Sequence, residues 1–342
     1  MDLQCLVIAD DLTGACDAAV PFASRDRRVC VSLSLEETVG ADDVLAVSTE
    51  SRDAPVGSFG KSLEQLLPLR PRILFKKIDS TLRGNVGSEV AAAMAAFDCK
   101  TAVVTPAFPA TGRVVERGYL RTAEGDFVPR ELAACFHGIA CPGIELHDAV
   151  CDADLDAIVA RFIHRERVLW AGSAGLAAAL ARSLGNTAAN GGACLRSAAL
   201  FCLGSHHAVT LEQEERLVRH RAATMTAAEA TTPESLRGAL RKGPVVLRIR
   251  RDRASSERIA ELLDGAVAPL VLCGGDTAAL VCHALRVRAI ELRQEIAPGI
   301  PCGILAGGPF DGLPVVTKSG GFGSPDALIE VADFFTCSQP SH

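Results

Sequence analysis

Short apolar runs and alanine-rich stretches take turns along almost the whole chain. The runs at 3–9, 29–33, 44–48, 72–75, 102–105 and 168–171 read as strands, and a second series follows at 199–203, 245–249, 270–273, 301–305 and 314–317. Helical spacing of apolar positions marks 88–97, 155–162, 176–184, 211–220 and 327–335. Near-continuous apolar strands alternating with helices predict mostly parallel sheets covered by helices on both faces. The two series part at a small, polar stretch from Gly185 to Gly192, which suits a linker. The expectation is an α/β chain of two lobes, 1–185 and 198–338 around a linker at 186–197, each with a mostly parallel sheet. The active site is then expected in the cleft between lobes, at the carboxyl ends of strands. A length of 342 residues, more than one core usually organises, agrees with that division.

Composition removes several classes. The chain is 49% hydrophobic and 22% charged, which suits a globular fold. Net charge is −6 with no long basic run, so a phosphate-neutralising face for nucleic acid is missing from the pattern. No apolar stretch approaches the roughly twenty residues of a membrane helix. The apolar start is cut short by Asp10 and Asp11, too early for a signal peptide. Thirteen cysteines, scattered and without a CxxC pair, read as reduced, small hydrophobes rather than a disulfide framework or zinc site. A cytoplasmic protein is expected. A chain of this class and size is often a homodimer, and no segment marks an interface.

The candidate chemistry sits just past the strands. After the first run comes Asp10-Asp11-Leu12-Thr13-Gly14, with Asp17 about one turn further. Adjacent carboxylates at a strand end accept hydroxyls, take a proton or bind a cation; helix capping by Asp11 or Thr13 explains them equally well. The run 72–75 leads into Lys76-Lys77-Ile78-Asp79-Ser80-Thr81-Leu82-Arg83-Gly84. Arginine can fork onto a carboxylate while Asp and Ser meet hydroxyls, so this density of groups points to an anionic, polyhydroxylated ligand. Ser51-Arg52 and the segment 105–113, ending at Arg113, place further arginines beyond strand ends. In the second lobe, Gly204-Ser205, Gly274-Gly275-Asp276-Thr277 and Lys318-Ser319-Gly320-Gly321 each follow a strand. Bare N–H groups at helix starts attract phosphate, and glycine lets it come close. Three such loops favour a nucleotide. Gly60-Lys61-Ser62 lacks the first glycine and strand of a Walker loop, and Ser173 between two glycines reads as a tight turn rather than a hydrolase nucleophile.

These segments, in order and wording, resemble the four-carbon acid sugar kinase family: ADDLTGACDA at 9–18, SR at 51–52, KKIDSTLRGNVG at 76–87, TPAFPATGR at 105–113, GSAGLA at 172–177, CGGDTA at 273–278 and KSGGFG at 318–323. The resemblance implies a sugar-acid lobe followed by a nucleotide lobe, and ATP-dependent phosphorylation of the terminal hydroxyl of threonate, erythronate or 3-oxo-tetronate. It also implies substrate-side roles for Asp10, Asp11, Arg52, Lys77, Asp79, Ser80 and Arg83. Ser205, Gly274, Gly275, Asp276, Thr277, Gly320 and Gly321 fall on the ATP side. On this reading glycine-rich amides hold the ATP phosphates with Mg2+, and Arg52, Arg83 or Lys77 clamps the acid's carboxylate. One of Asp79, Asp10 and Asp11 orients or deprotonates the attacking hydroxyl. The chain is shorter than typical members after Tyr119, which leaves the acid open, and between Ser205 and Gly274, which shortens the ATP lobe but keeps its glycine-rich loops. The alternative is a sensor that binds sugar acid and nucleotide without chemistry.

Overall fold

A computed structural model describes residues 3–34, 43–122, 128–185, 197–220, 223–226, 232–250, 252–263 and 268–336. The chain divides into two compact units, Met1–Ala189 and Asn190–His342. The expected linker, apart from Ser197, lies outside the described residues.

The N-terminal unit runs β1 (Cys5–Ala9), α1 (Leu12–Ala19), β2 (Val29–Ser32), β3 (Val44–Ser48), α2 (Ser58–Leu66), β4 (Ile73–Lys77), α3 (Val86–Ala96) and β5 (Thr101–Thr105). It continues through β6 (Arg113–Glu116), β7 (Tyr119–Thr122), β8 (Arg130–Glu131), β9 (Ile144–Leu146), α4 (Asp152–Phe162), β10 (Val168–Gly172) and α5 (Ala174–Ser183). Its main sheet has the order β2-β3-β1-β4-β10-β5-β9, and every neighbouring pair is parallel. Each residue of β1 and β4 is buried, as strands covered on both faces must be. α1 packs with α5, and α5 with α4, while α2 packs with α3. Ser173 caps α5: its hydroxyl accepts from the Gly175 N–H at 3.2 Å and donates to the Ala107 carbonyl at 2.7 Å. That is the tight turn expected of it.

The C-terminal unit contains β11 (Leu200–Leu203), α6 (Ala208–His220), β12 (Ala223–Thr226), α7 (Pro233–Leu240), β13 (Val245–Arg248) and α8 (Arg253–Leu262). β14 (Leu270–Cys273), α9 (Gly275–Ala284), β15 (Ala289–Ala297), β16 (Ile300–Ala306), β17 (Pro314–Lys318) and α10 (Ala327–Thr336) complete it. The order is β12-β13-β11-β14-β17-β16-β15, parallel as far as β17 and antiparallel beyond. Phe201, Leu203, Val271, Val316 and Phe335 form the centre of its core.

Several strands were not expected, the short β9 and β12 among them. β6, β7 and β8 form a small antiparallel sheet with exposed Glu116, Tyr119, Arg121, Arg130 and Glu131, so no apolar run announces them. β15 mixes buried, partly buried and exposed positions and is charged, as an antiparallel strand with one polar face does, unlike a buried parallel strand. Among the described residues no helix is long and apolar enough to cross a membrane, and the described cysteines are free thiols.

Gly87, in the first turn of α3, lets the segment at 133–139 lie against it: a Cβ there would stand 1.9 Å from the Cys135 carbonyl oxygen. Gly87→Ala is expected to lower stability by about 1–3 kcal/mol, read as an earlier urea midpoint. An unchanged midpoint would show that this segment yields without cost.

Candidate active site

β1, β3 and β4 are adjacent and parallel, so their carboxyl ends open side by side. The residues that follow them form one charged cluster. Asp11 caps α1, accepting from the Gly14 N–H at 2.6 Å and from the Thr13 hydroxyl at 3.2 Å. Capping and function are therefore not alternatives here, because the same carboxylate also pairs with Arg52. Arg52 forks onto Asp10, with Nε to Oδ2 at 2.9 Å and Nη2 to Oδ1 at 2.8 Å, and its Nη2 stands 3.6 Å from Asp79. Arg83 forks onto Asp79 from the other side, at 3.1 and 2.7 Å. Lys77 reaches the same place from β4: a Cβ at Gly14 would lie 2.5 Å from Asp11 Oδ1 and 3.2 Å from Lys77 Nζ, so only glycine fits there.

Asp10, Asp11, Lys77 and Asp79 are buried. Burial alone would raise the Asp10 and Asp79 carboxyls. For Asp10, the Arg52 guanidinium, with Lys76 and Lys77 adding to it, outweighs burial and holds the group below its ordinary range. For Asp79, hydrogen bonding and charge from Arg83, then Arg52 and Lys77, carry it well below. Both stay ionised at any physiological pH. The backbone is bent to allow this: Glu50 before Ser51-Arg52 has φ 48° and Leu82 before Arg83 has φ 60°. Side-chain-bearing residues in that region cost about 1 kcal/mol or more each and gather at functional sites. Ser80 points elsewhere and accepts from Arg113 Nη1 at 2.6 Å.

In the C-terminal unit β11, β14 and β17 are adjacent and parallel, so the three glycine-rich loops emerge together. Side chains of one loop lie against glycines of the next. A Cβ at Gly204 would lie 2.0 Å from the Thr277 hydroxyl, and one at Gly320 would lie 2.2 Å from the Ser205 hydroxyl. Gly274, at φ 103°, turns the chain from β14 into α9, whose first turn carries Gly275, Asp276 and Thr277. Gly321 follows Gly320 in the third loop.

Lys318, the cation of the third loop, is fully buried, and its ammonium donates to the carbonyls of Ser319, Gly320 and Phe322 at 3.0, 3.4 and 2.8 Å. Burial pushes its pKa down. It holds the loop's shape from inside. Sequence reading missed Glu89, which pairs with Lys76 at 2.8 Å beneath the cluster.

Residues 5–133 match the model of a sugar-binding N-terminal domain, and 248–328 that of a nucleotide-binding C-terminal domain. The chain is 32% identical to the D-threonate kinase of Bordetella bronchiseptica over 95% of this chain and 96% of that one. It belongs to the four-carbon acid sugar kinase family. A second family member, the 3-oxo-tetronate kinase of Cupriavidus necator, is 26% identical over 94% of this chain and 95% of that protein. A crystal structure from Salmonella typhimurium shares the fold, with a TM-score of 0.75 at 21% identity over 97% of this chain and 100% of that one. As a member of this family the protein is a phosphotransferase with an alcohol acceptor.

The low pKa of Asp79 carries a stability consequence. Its contribution is present above the unfolded value of about 3.9 and is lost as pH falls below that toward the folded value. Asp79→Asn should therefore melt below the wild type at neutral pH, and the gap should narrow between about pH 5 and about pH 3. A gap that stays constant over that range would show that Asp79 contributes through shape, not charge.

Proposed function

We propose that this kinase transfers the γ-phosphoryl group of ATP to a hydroxyl of D-threonate or a closely similar four-carbon acid. The observation that carries the reading is the charged cluster at the ends of β1, β3 and β4. Three carboxylates meet there beside Arg52, Arg83 and Lys77, and two of them, Asp10 and Asp79, are held ionised. Arg83 is half-exposed, with 52% of its side chain open, and so has donors left for a ligand. Lys77 Nζ forms no ion pair among the described residues. These two cations suit the acid's carboxylate. Asp10 and Asp79, already ionised, suit its hydroxyls as acceptors. D-threonate ranks first because the relative at 32% identity phosphorylates it, while the 3-oxo-tetronate kinase stands at 26%.

Phosphoryl transfer asks the protein mainly to position and neutralise. A carboxylate clamped between two guanidiniums is a weak base, so Asp79 acts chiefly by orienting the attacking hydroxyl and receiving its proton late. The glycine loops of the C-terminal unit suit the ATP phosphates, since the start of α9 offers N–H groups to an anion at close approach. Among the described residues no three ligating side chains converge as a cage for a metal. Mg2+ would come as a companion of the phosphates, with Asp276 in the first turn of α9 as the carboxylate that would meet it. When bound there it would neutralise charge on the transferring group.

Purified protein with ATP and Mg2+ should release ADP only when a four-carbon acid is supplied, D-threonate first in a panel of threonates, erythronates and 3-oxo acids. If no acid gives ADP yet ATP raises the melting temperature, the protein is a sensor and the proposal fails. Asp79→Asn is expected to cut turnover about 10²-fold or more; near-normal turnover would remove it from the reaction. Gly320→Ala, which drives a methyl into the Ser205 hydroxyl, should shrink the ATP-induced rise in melting temperature. An undiminished rise would take the third loop out of the nucleotide site.

A further inference from the structure

The loop that carries Asp79 and Arg83 is wound from within by its own carboxylate. Asp79 Oδ1 accepts from the N–H groups of Thr81 at 2.9 Å and Arg83 at 3.3 Å, and the Leu82 N–H donates to the Asp79 carbonyl at 2.9 Å. This winding puts Leu82 at φ 60°, a conformation that a side chain opposes. Such a turn persists only where its surroundings over-determine it.

The small sheet β6–β8 supplies those surroundings. Its register pairs Arg113 with Thr122, Val115 with Leu120, and Leu120 with Arg130. Paired residues, and residues two apart on one strand, share a face. Arg113, Val115, Leu120 and Arg130 therefore stand on one side of the sheet. Glu116, Tyr119, Arg121 and Glu131 stand on the other, and all four are exposed. Val115 and Leu120 are completely buried and seat the sheet. The two arginines flank them, and both end on the loop. Arg113, 4% exposed, donates from Nη1 to the Ser80 hydroxyl at 2.6 Å. Arg130 donates from its own Nη1 to the carbonyls of Thr81 and Leu82, at 3.0 and 3.4 Å. Three consecutive loop residues, the left-handed Leu82 among them, are thus gripped from one face of one sheet.

We infer that this sheet is a clamp that sets the Asp79–Arg83 loop in its acid-binding form before any ligand arrives. Arg113 and Arg130 are its positioning residues, acting through Ser80, Thr81 and Leu82. The inference rests on the reading of the charged cluster as the acid site. A loop that holds the competent form only part of the time binds with an affinity reduced by that fraction. The clamp therefore contributes to affinity without meeting the acid itself.

Hydrogen–deuterium exchange of the ligand-free full chain tests the clamp, and calorimetric titration with D-threonate tests what it serves. Arg130 is exposed, so Arg130→Gln should fold and melt within a few degrees of the wild type. In that variant the amides of residues 80–84 should exchange about tenfold faster, and D-threonate should bind about tenfold more weakly, as expected for loss of a charged donor. Arg130→Lys keeps a cationic donor and should come within about threefold of the wild type in both measurements. Ser80→Ala removes the acceptor that Arg113 grips and should move both in the same direction as Arg130→Gln. Unchanged exchange at 80–84 in Arg130→Gln and Ser80→Ala overturns the inference, as does a lysine variant no better than the glutamine one. Faster exchange with wild-type affinity also overturns it, because the held shape would then not be the binding one. So does faster exchange spread evenly over β1, β4 and α3, which would mark a general loosening. A wild type that binds none of the four-carbon acids sinks the acid-site reading instead, and the exchange measurement still decides whether the sheet holds the loop.

Discussion

The Arg52 guanidinium is the charge on which the strand ends of the N-terminal unit depend. Asp10 and Asp11 close β1, and Asp79 follows β4, so adjacent parallel strands bring three buried carboxylates to one spot. Without a cation among them, desolvation and mutual repulsion would protonate or expel at least one. Arg52 meets all three, and its own main chain follows: the Arg52 N–H bonds the Asp10 carbonyl at 3.3 Å, and Thr49 bonds the Ala9 carbonyl through both amide and hydroxyl at 2.9 Å. Electrostatic need and backbone course are the same constraint. The left-handed turns at Glu50 and Leu82 are where the chain bends to meet it.

The C-terminal unit solves its problem sterically. Its three loops approach until Thr277 nearly touches Gly204 and Ser205 nearly touches Gly320, so the shape of the surface is set by missing side chains. Lys318 reinforces that shape by donating to carbonyls of its own loop. The two units thus differ in what they present: one a half-exposed guanidinium on Arg83, the other the amide dipoles at the start of α9.

Most of the parallel strands could be read directly because both faces of each are buried, and an apolar run is then obligatory; β9 and β12, parallel but short, could not. The strands that escaped notice are short, exposed or antiparallel, as at β6–β8 and β15, where one face stays polar. Within the site, the residue types were readable and their directions were not. Lys76 and Lys77 are adjacent on β4, so they point to opposite faces. Lys76 meets Glu89 and Phe59 from α3 and α2; Lys77 reaches Gly14 of α1. Period-two reasoning, applied to that lysine pair, would have separated their roles. Arg52 meeting Asp10 across 42 positions, and Lys318 turning inward, depend on tertiary geometry that no local pattern carries.

β10 has a consequence for how the unit comes into being. It lies between β4 and β5, although about ninety residues separate it from the first. The carbonyl of its last residue, Gly172, also takes the Ile78 N–H at 2.9 Å, at the root of the loop that presents Asp79 and Arg83. Pairings so distant in sequence close late, because chain entropy must be spent before they return anything. During synthesis, β4 and β5 must therefore wait, with a gap between them, until residue 172 has emerged. The loop that carries Asp79 and Arg83 gains its anchor only then, so its final shape is the mark of a completed sheet.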